Sequence, residues 1–308
     1  MDTTIGGRQY GREGDLGAMR DLIVAARAAR APDSSYWHVG DLVWGMFQNS
    51  VFDPTANIRL WHDANRSLLG FAWFDPPNEV QLEIHPSLRF DGPLPEAMLS
   101  WAEARRGQLA EGGTDIELLA RALEDDVVRI AFLLGHGFVR SERHYVHFRR
   151  SLDGAIPEPA LPDNLVLRPV GGEEEFEERV SIHRDVWHPS KVTLDAYRRL
   201  RAAPGYSPEL DLAAVTLEGR FASYCICWLD EANGVGEFEP VGTRAEFRRR
   251  GIARAVTSDG LRRMRARGMH TAIVLTASFN EAAIRLYESV GFGMVNREYF
   301  YTKTLRAD

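Results

Sequence analysis

With 308 residues, 26% of them charged and 44% hydrophobic, and a formal net charge of -7, the chain has the balance of a globular protein long enough for two ordinary hydrophobic cores. That balance excludes an intrinsically disordered chain, and no stretch reaches the roughly 18 consecutive apolar residues of a membrane span. An acidic whole also argues against a nucleic-acid binder, which spreads basic charge over an extended face.

The first residues, Met1 to Gly14, are polar and glycine-rich without an apolar centre; no export signal is expected, and the chain reads as cytoplasmic. An amphipathic helix follows over Asp15 to Ala31, where Leu16, Met19, Leu22, Ile23 and Ala26 recur on one face. A second helix is expected over Val39 to Asn49, then strands at Ile58 to His62, Leu68 to Phe74 and Val80 to His85. Next come a helix over Pro95 to Ala110, a strand at Asp115 to Leu119, a helix over Asp125 to Leu134 and a strand at Phe138 to Arg149. Gly154 to Asn164, with Pro157, Pro159 and Pro162, reads as a linker. Beyond it strands are expected at Leu165 to Pro169, Leu212 to Leu217, Phe221 to Leu229 and Gly236 to Val241. A helix after Gly251 runs to about Arg267, followed by a strand at Thr271 to Thr276. This order of strands and helices implies an α/β fold, α+β in detail, on mixed central sheets.

The chain also matches itself. At an offset of 154 residues Gly137-Phe138 falls on Gly291-Phe292, Arg143 on Arg297, Tyr145 on Tyr299, Glu83 on Glu237 and Pro86 on Pro240; one residue further, Trp73 and Asp75 match Trp228 and Asp230. The matches keep order and register, which implies two copies of one fold, residues 1–153 and 154–308. Cys225 and Cys227, the only cysteines, lie two apart on one strand, so they face the same side. Their spacing suits core packing rather than a disulfide or a metal, and no metal is expected. Lys191 and Lys303 stand against 35 arginines, a composition like that of a GC-rich bacterial genome.

The chemistry concentrates in the second copy. Residues 244–267 hold nine arginines against Glu246 and Asp259. Within them Arg248-Arg249-Arg250-Gly251-Ile252-Ala253-Arg254 opens a helix, whose free N–H groups and side-chain-less Gly251 form a cradle for a compact polyanion. Asn280, Tyr287, Gly291 and Phe292 follow after a strand. Asn280 has the chemistry of a helix N-cap, and Tyr287, two turns on, shares its face. Glu237 and Glu239 stand on the strand that leads into the loop, and either is a candidate general base or a plain strand carboxylate.

These residues resemble the GNAT superfamily of acetyl-CoA-dependent N-acetyltransferases, whose phosphate loop reads Arg/Gln-x-x-Gly-x-Gly/Ala and whose last helix carries Asn-x6-Tyr before Gly-Phe. The resemblance implies that the loop from Arg248 to Arg254 holds the pyrophosphate of acetyl-CoA and that Val241, Gly242 and Thr243 pair with its pantetheine arm. It further implies that Asn280 contacts the cofactor, that Tyr287 is the general acid towards the sulfur, and that Glu237 or Glu239 takes the amine's proton. The first copy has Leu94-Pro95-Glu96-Ala97-Met98-Leu99 in place of the loop, Leu133 in place of Tyr287 and Asp126 in place of Asn280; it reads as a degenerate copy. The acceptor site is expected from the first helices of the second copy, where His183, Trp187, His188, Tyr197 and Tyr206 are the polar aromatics, with Tyr36, Trp37 and Trp44 in the matching region of the first.

The expected activity is acetyl transfer to the primary amine of a small molecule, in a monomer or homodimer, with neither nucleic acid nor membrane as partner. A narrower resemblance is to the mycothiol synthases, tandem enzymes of similar length that acetylate the cysteine amine of a pseudo-disaccharide; composition is compatible with that group without singling it out. A non-catalytic acyl-CoA sensor is the alternative from another class, and Glu237 and Tyr287 argue against it.

Overall fold

A computed structural model describes residues 6–30, 36–88, 90–110 and 115–306. In chain order its elements are β1 (Gly6–Gln9), α1 (Asp15–Ala29), α2 (Val39–Phe47), α3 (Pro54–Asn57), β2 (Ile58–His62), β3 (Leu68–Asp75), β4 (Glu79–Ile84), α4 (Pro93–Gln108), β5 (Ile116–Leu123), α5 (Val127–Gly135) and β6 (Val139–Ser151). There follow β7 (Leu165–Pro169), α6 (Phe176–Val186), α7 (Leu194–Arg201), β8 (Asp211–Thr216), β9 (Phe221–Asp230), β10 (Val235–Thr243), α8 (Ile252–Ala266), β11 (Thr271–Ala277), α9 (Glu281–Ser289) and β12 (Gly293–Leu305). The chain forms two compact units: Met1–Tyr36, Phe52–Val146 and Asn296–Asp308 in the first, Trp37–Val51 and His147–Val295 in the second. Among the described residues no helix is long and apolar enough to cross a membrane.

In the first unit β1 to β4 pair antiparallel in order, β5 joins β4 in parallel through Glu79↔Leu119 and Val80↔Ala120, and Glu298–Leu305 of β12 pairs antiparallel with β5. The expected stripe of α1 is buried at Met19, Leu22, Ile23 and Ala26; the expected end of that helix, Ala31, lies outside the described residues, as do Met1 to Ile5 of the polar N-terminus. The glycines of β1 hide it in the sequence. They are there for closeness: a Cβ on Gly7 would stand 2.7 Å from the Trp61 indole nitrogen of the neighbouring strand. The core beneath the sheet is built from Trp61, Phe74, Leu82, Met98, Leu118 and Phe132 among others.

Glu83, which matches Glu237 in the repeat, is 6% exposed. Burial outweighs the attraction of Arg129 and Arg30 and lifts its carboxyl from 4.5 to about 7. A folded-state pKa above the unfolded one gives stability that is fully present below about pH 4.5 and lost as pH rises through about 7, roughly 3 kcal/mol for this shift. Glu83→Gln is therefore expected to gain on the parent by about that amount between about pH 4.5 and 8 in urea melts. A constant difference between the two proteins across that range would show that Glu83 titrates alike in the folded and unfolded chain, with its carboxyl not pushed up by burial.

The second unit repeats the pattern. Here β7 to β10 pair antiparallel in order and β11 joins β10 in parallel through Val235↔Thr271, Gly236↔Ala272 and Glu237↔Ile273. In both units the helix after the fifth strand is capped alike, Asp126 accepting from the Arg129 N–H and Asn280 from the Ala283 N–H. The boundaries expected from the sequence shift by a few residues, the largest extension being that of β5 to Leu123. The segment holding α2 belongs to the second unit. There Trp44 packs edge-on against His183 with ring centroids 5.2 Å apart, and Gly40 lies so close to Trp228 that a Cβ would stand 2.5 Å from the indole.

Candidate active site

The site grows from β10. Parallel pairing with β11 lasts only from Val235 to Glu237, while β10 runs on to Thr243. Past Glu237 the strand keeps its bonds to β9 through Val241↔Cys225, Gly242↔Tyr224 and Thr243↔Ser223, and its ladder to β11 stops. The edge from Phe238 to Thr243 is thereby open for an extended ligand to add to the sheet. The β9 ladder is itself irregular between Phe238 and Val241, around Pro240, which has no N–H to give to it.

At the end of β10 Arg248 folds back, its Nε donating to the Thr243 carbonyl at 3.1 Å. Arg249 then takes φ 59° and Gly251 φ 77°, so the loop turns twice through left-handed geometry before α8 begins at Ile252. No side chain caps α8 at Gly251, and a Cβ there would meet no atom within 4 Å. Uncapped N–H groups at a helix start beside open space have the geometry to receive an anion. Ile252 is buried under the loop and the Ala253 carbonyl accepts from Thr257 Oγ1, while Arg249, Arg250 and Arg254 are exposed.

The arginine density seen in the sequence divides once partners are known. Arg244, which the motif does not include, is 3% exposed and binds Asp185 at 2.7 Å, Glu178 at 2.5 Å and the Phe221 carbonyl. It braces the strand end. Arg262, Arg263 and Arg267 pair with Glu158, Asp259 and Glu209. Arg249, Arg250 and Arg254 make no ion pair among the described residues, and these three flank the loop that Gly251 opens.

Tyr287 lies in the last turn of α9, 5% exposed, its ring between Phe148 and Phe292 with centroids 5.9 and 6.0 Å away. Burial first, then Glu239 and Cys225, push its phenol above the ordinary tyrosine range, so it stays protonated. Burial together with Asp41 and Glu237 pushes the Glu239 carboxyl well up. Glu239 thus feels Glu237 and influences Tyr287, and the three sequence candidates gather in one region of the second unit. Glu237 is 3% exposed, with its Oε2 3.1 Å from His38 Nδ1. His38 is a residue that the motifs do not mark.

The aromatics expected at the acceptor site separate into two groups. His183 Nδ1 and Trp187 Nε1 lie 2.6 and 3.0 Å from the Tyr224 hydroxyl, and burial with Arg179 and Arg184 takes His183 down to about 3, so it is neutral and a poor base. Tyr197 and Tyr206 both donate to Asp211, at 2.7 and 2.8 Å, and Arg179 binds the same carboxylate at 3.0 Å. That second group is a buried hydrogen-bonded network centred on the Asp211 carboxylate. His188 is exposed and joins neither, and Tyr36 donates to Asp126 in the first unit. Cys225 and Cys227 are buried and free.

Residues 175–292 match the model of the Acetyltransferase (GNAT) family. A protein of Thermobispora bispora named mycothiol acetyltransferase is 32% identical over 247 residues, covering 77% of this chain and 80% of its own. One of the same name from Nocardia farcinica is 28% identical over 306 residues, 92% of each chain. Among solved structures, a tandem GNAT protein of the clavulanic acid biosynthesis pathway superposes with TM-score 0.67 at 17% identity over 97% of this chain and 98% of its own. A GCN5-related N-acetyltransferase of Sphaerobacter thermophilus gives 0.66 at 20% over 98% and 96%. These two share the fold.

Proposed function

Because the chain belongs to the GNAT family of acetyltransferases and so carries out acetyl-CoA-dependent acyl transfer, we propose that its acceptor is the primary amine of a small molecule, the cysteine amine of a mycothiol-type pseudo-disaccharide. The observation that carries this choice of acceptor is similarity to mycothiol acetyltransferases across most of both chains. The tandem organisation into repeats 1–153 and 154–308, with the first degenerate, is the arrangement we infer for it.

In this reading the loop from Arg248 to Arg254 binds the pyrophosphate, the edge from Val241 through Gly242 to Thr243 takes the pantetheine amides, and Asn280 caps α9 beside the cofactor. The thioester then lies between Glu237 and Tyr287. The amine nitrogen attacks the thioester carbon, Glu237 takes the proton that nitrogen loses, the C–S bond breaks, and Tyr287 donates to the departing sulfur; the products are the amide and CoA. Burial, then Asp41 and Glu237, push the Glu239 carboxyl well up, which favours its protonated form and leaves it less available to take the amine's proton. That leaves Glu237.

Two measurements test the reading. Mass spectrometry of products from a panel of amines, with acetyl-CoA as donor, should show the cysteinyl pseudo-disaccharide as the best acceptor. Mass is the readout because this acceptor's own thiol would mask the release of CoA. Turnover of other amines with none of this one would overturn the choice of acceptor. Glu237→Gln is expected to lose the carboxyl's contribution to the acidic limb of kcat/KM, leaving the amine's own titration, with acetyl-CoA affinity unchanged. A parent-like profile in that variant, alongside a changed one in Glu239→Gln, would transfer the role to Glu239.

A further inference from the structure

His38 is built into this region from a stretch of sequence far from the motifs. Its side chain has no exposure and that of Glu237 has 4%, and both belong to the second unit. Nε2 lies 3.2 Å from the Val235 carbonyl, a pure acceptor, so Nε2 carries the proton and donates. Nδ1 then holds a lone pair: it accepts the Gly40 N–H at 3.0 Å, capping α2, and stands 3.1 Å from Glu237 Oε2. Asp41 closes the cap by accepting the His38 backbone N–H at 2.8 Å. Backbone groups therefore fix the position and tautomer of this ring independently of Glu237.

We propose that His38 is a positioning residue for the acyl-transfer base: its neutral ring, packed 3.1 Å from Glu237 Oε2, limits the orientations open to that carboxyl and turns an electron-rich nitrogen toward it. The inference rests on Glu237 being the base. An electron-rich nitrogen beside an ionised carboxylate is repelled, and that repulsion ends when the carboxyl takes a proton, so the contact raises the affinity of Glu237 for the proton that the amine loses. Protons balance without the ring titrating: one leaves the amine and binds a Glu237 oxygen. Charged or titratable groups on the elements around the pair include Glu239 on β10, Asp41 on α2, Cys225, Cys227, Tyr224 and Asp230 on β9, His183 on α6, Asp259 and Arg263 on α8 and Tyr287 on α9; β11 carries none. All are kept when His38 alone is changed.

His38→Asn isolates the contact, since Asn is among the best N-caps and keeps α2 capped while its shorter amide withdraws from Glu237. The expected result is parent-like acetyl-CoA affinity, a kcat/KM for the amine lower by roughly 10- to 100-fold, the cost of loosening a reacting group, and a carboxyl limb moved to lower pH. In a Glu237→Gln background the same change should add little. A parent pH profile in His38→Asn, where Glu237→Gln alters it, overturns the role of His38 and leaves Glu237 as the base; an unaltered profile in Glu237→Gln overturns the reading beneath it. If His38→Asn does not fold, nitrogen NMR of the unmodified chain decides. The neutral Nε2–H tautomer through the acidic limb is expected, and an imidazolium or an Nδ1–H tautomer there refutes the proposal.

Discussion

Tyr287→Phe is expected to lower kcat by about 10²- to 10⁴-fold while leaving acetyl-CoA binding near that of the parent. The ring is held by Phe148 and Phe292 and by its place in α9, and phenylalanine keeps all of that packing. Only the O–H is lost. Its pushed-up pKa has two consequences: the phenol stays protonated through neutral and mildly alkaline pH, and giving its proton away completely to a thiolate, an ordinary thiol titrating near 8.5, is uphill. Its main service is then a hydrogen bond to the sulfur as charge develops there, which strengthens in the transition state and acts on kcat. The parent should accordingly show no alkaline limb from Tyr287. The control is Leu133→Ala, at the matching position of the first unit, which removes buried packing and costs stability rather than chemistry. Steady-state kinetics with calorimetric binding separates the cases, and a Tyr287→Phe enzyme as fast as the parent would assign the sulfur's partner to water.

Local signals in this sequence were legible and long-range ones were not. Asp126 and Asn280 could be matched by offset alone because each caps a helix through a neighbour three residues away. The glycine loop could be read because its geometry comes from φ at Arg249 and Gly251. Nothing local marks the segment around α2 as part of the second unit, or Glu298–Leu305 as the partner of β5. Periodicity reports which face of an element is buried and is silent on what covers it. His38 was invisible for the same reason: in sequence it is a polar residue before a helix, and only the fold brings Nδ1 to Glu237. The arginine count overstated the loop's charge because ion pairs with Glu158, Glu178 and Glu209 form across the fold.

Acetyl-CoA is expected to bind once per chain, and Gly251→Leu to abolish that binding at concentrations that saturate the parent. At φ 77° a leucine is strained, worth about 1–2 kcal/mol for left-handed backbone, and its side chain would fill the space in front of the uncapped N–H groups. Charge-assisted hydrogen bonds contribute about 1.5–3 kcal/mol each, so losing two of them lowers affinity by roughly 10²- to 10⁴-fold before any strain is added. Gly251→Ala separates the two causes, because it brings the same backbone strain with one methyl group in the phosphate's path. The first unit offers no equivalent. Its helix α4 begins at Pro93, a second proline stands at Pro95, and Glu96 lies in the first turn; the prolines remove two donors and the carboxylate opposes an anion at that helix start. Calorimetry on the intact chain should therefore give a stoichiometry near one, falling to no measurable heat in Gly251→Leu. Two equivalent sites in the parent, or parent affinity in that variant, would mean that the phosphates are held elsewhere, with the exposed Arg249, Arg250 and Arg254 the next groups to vary.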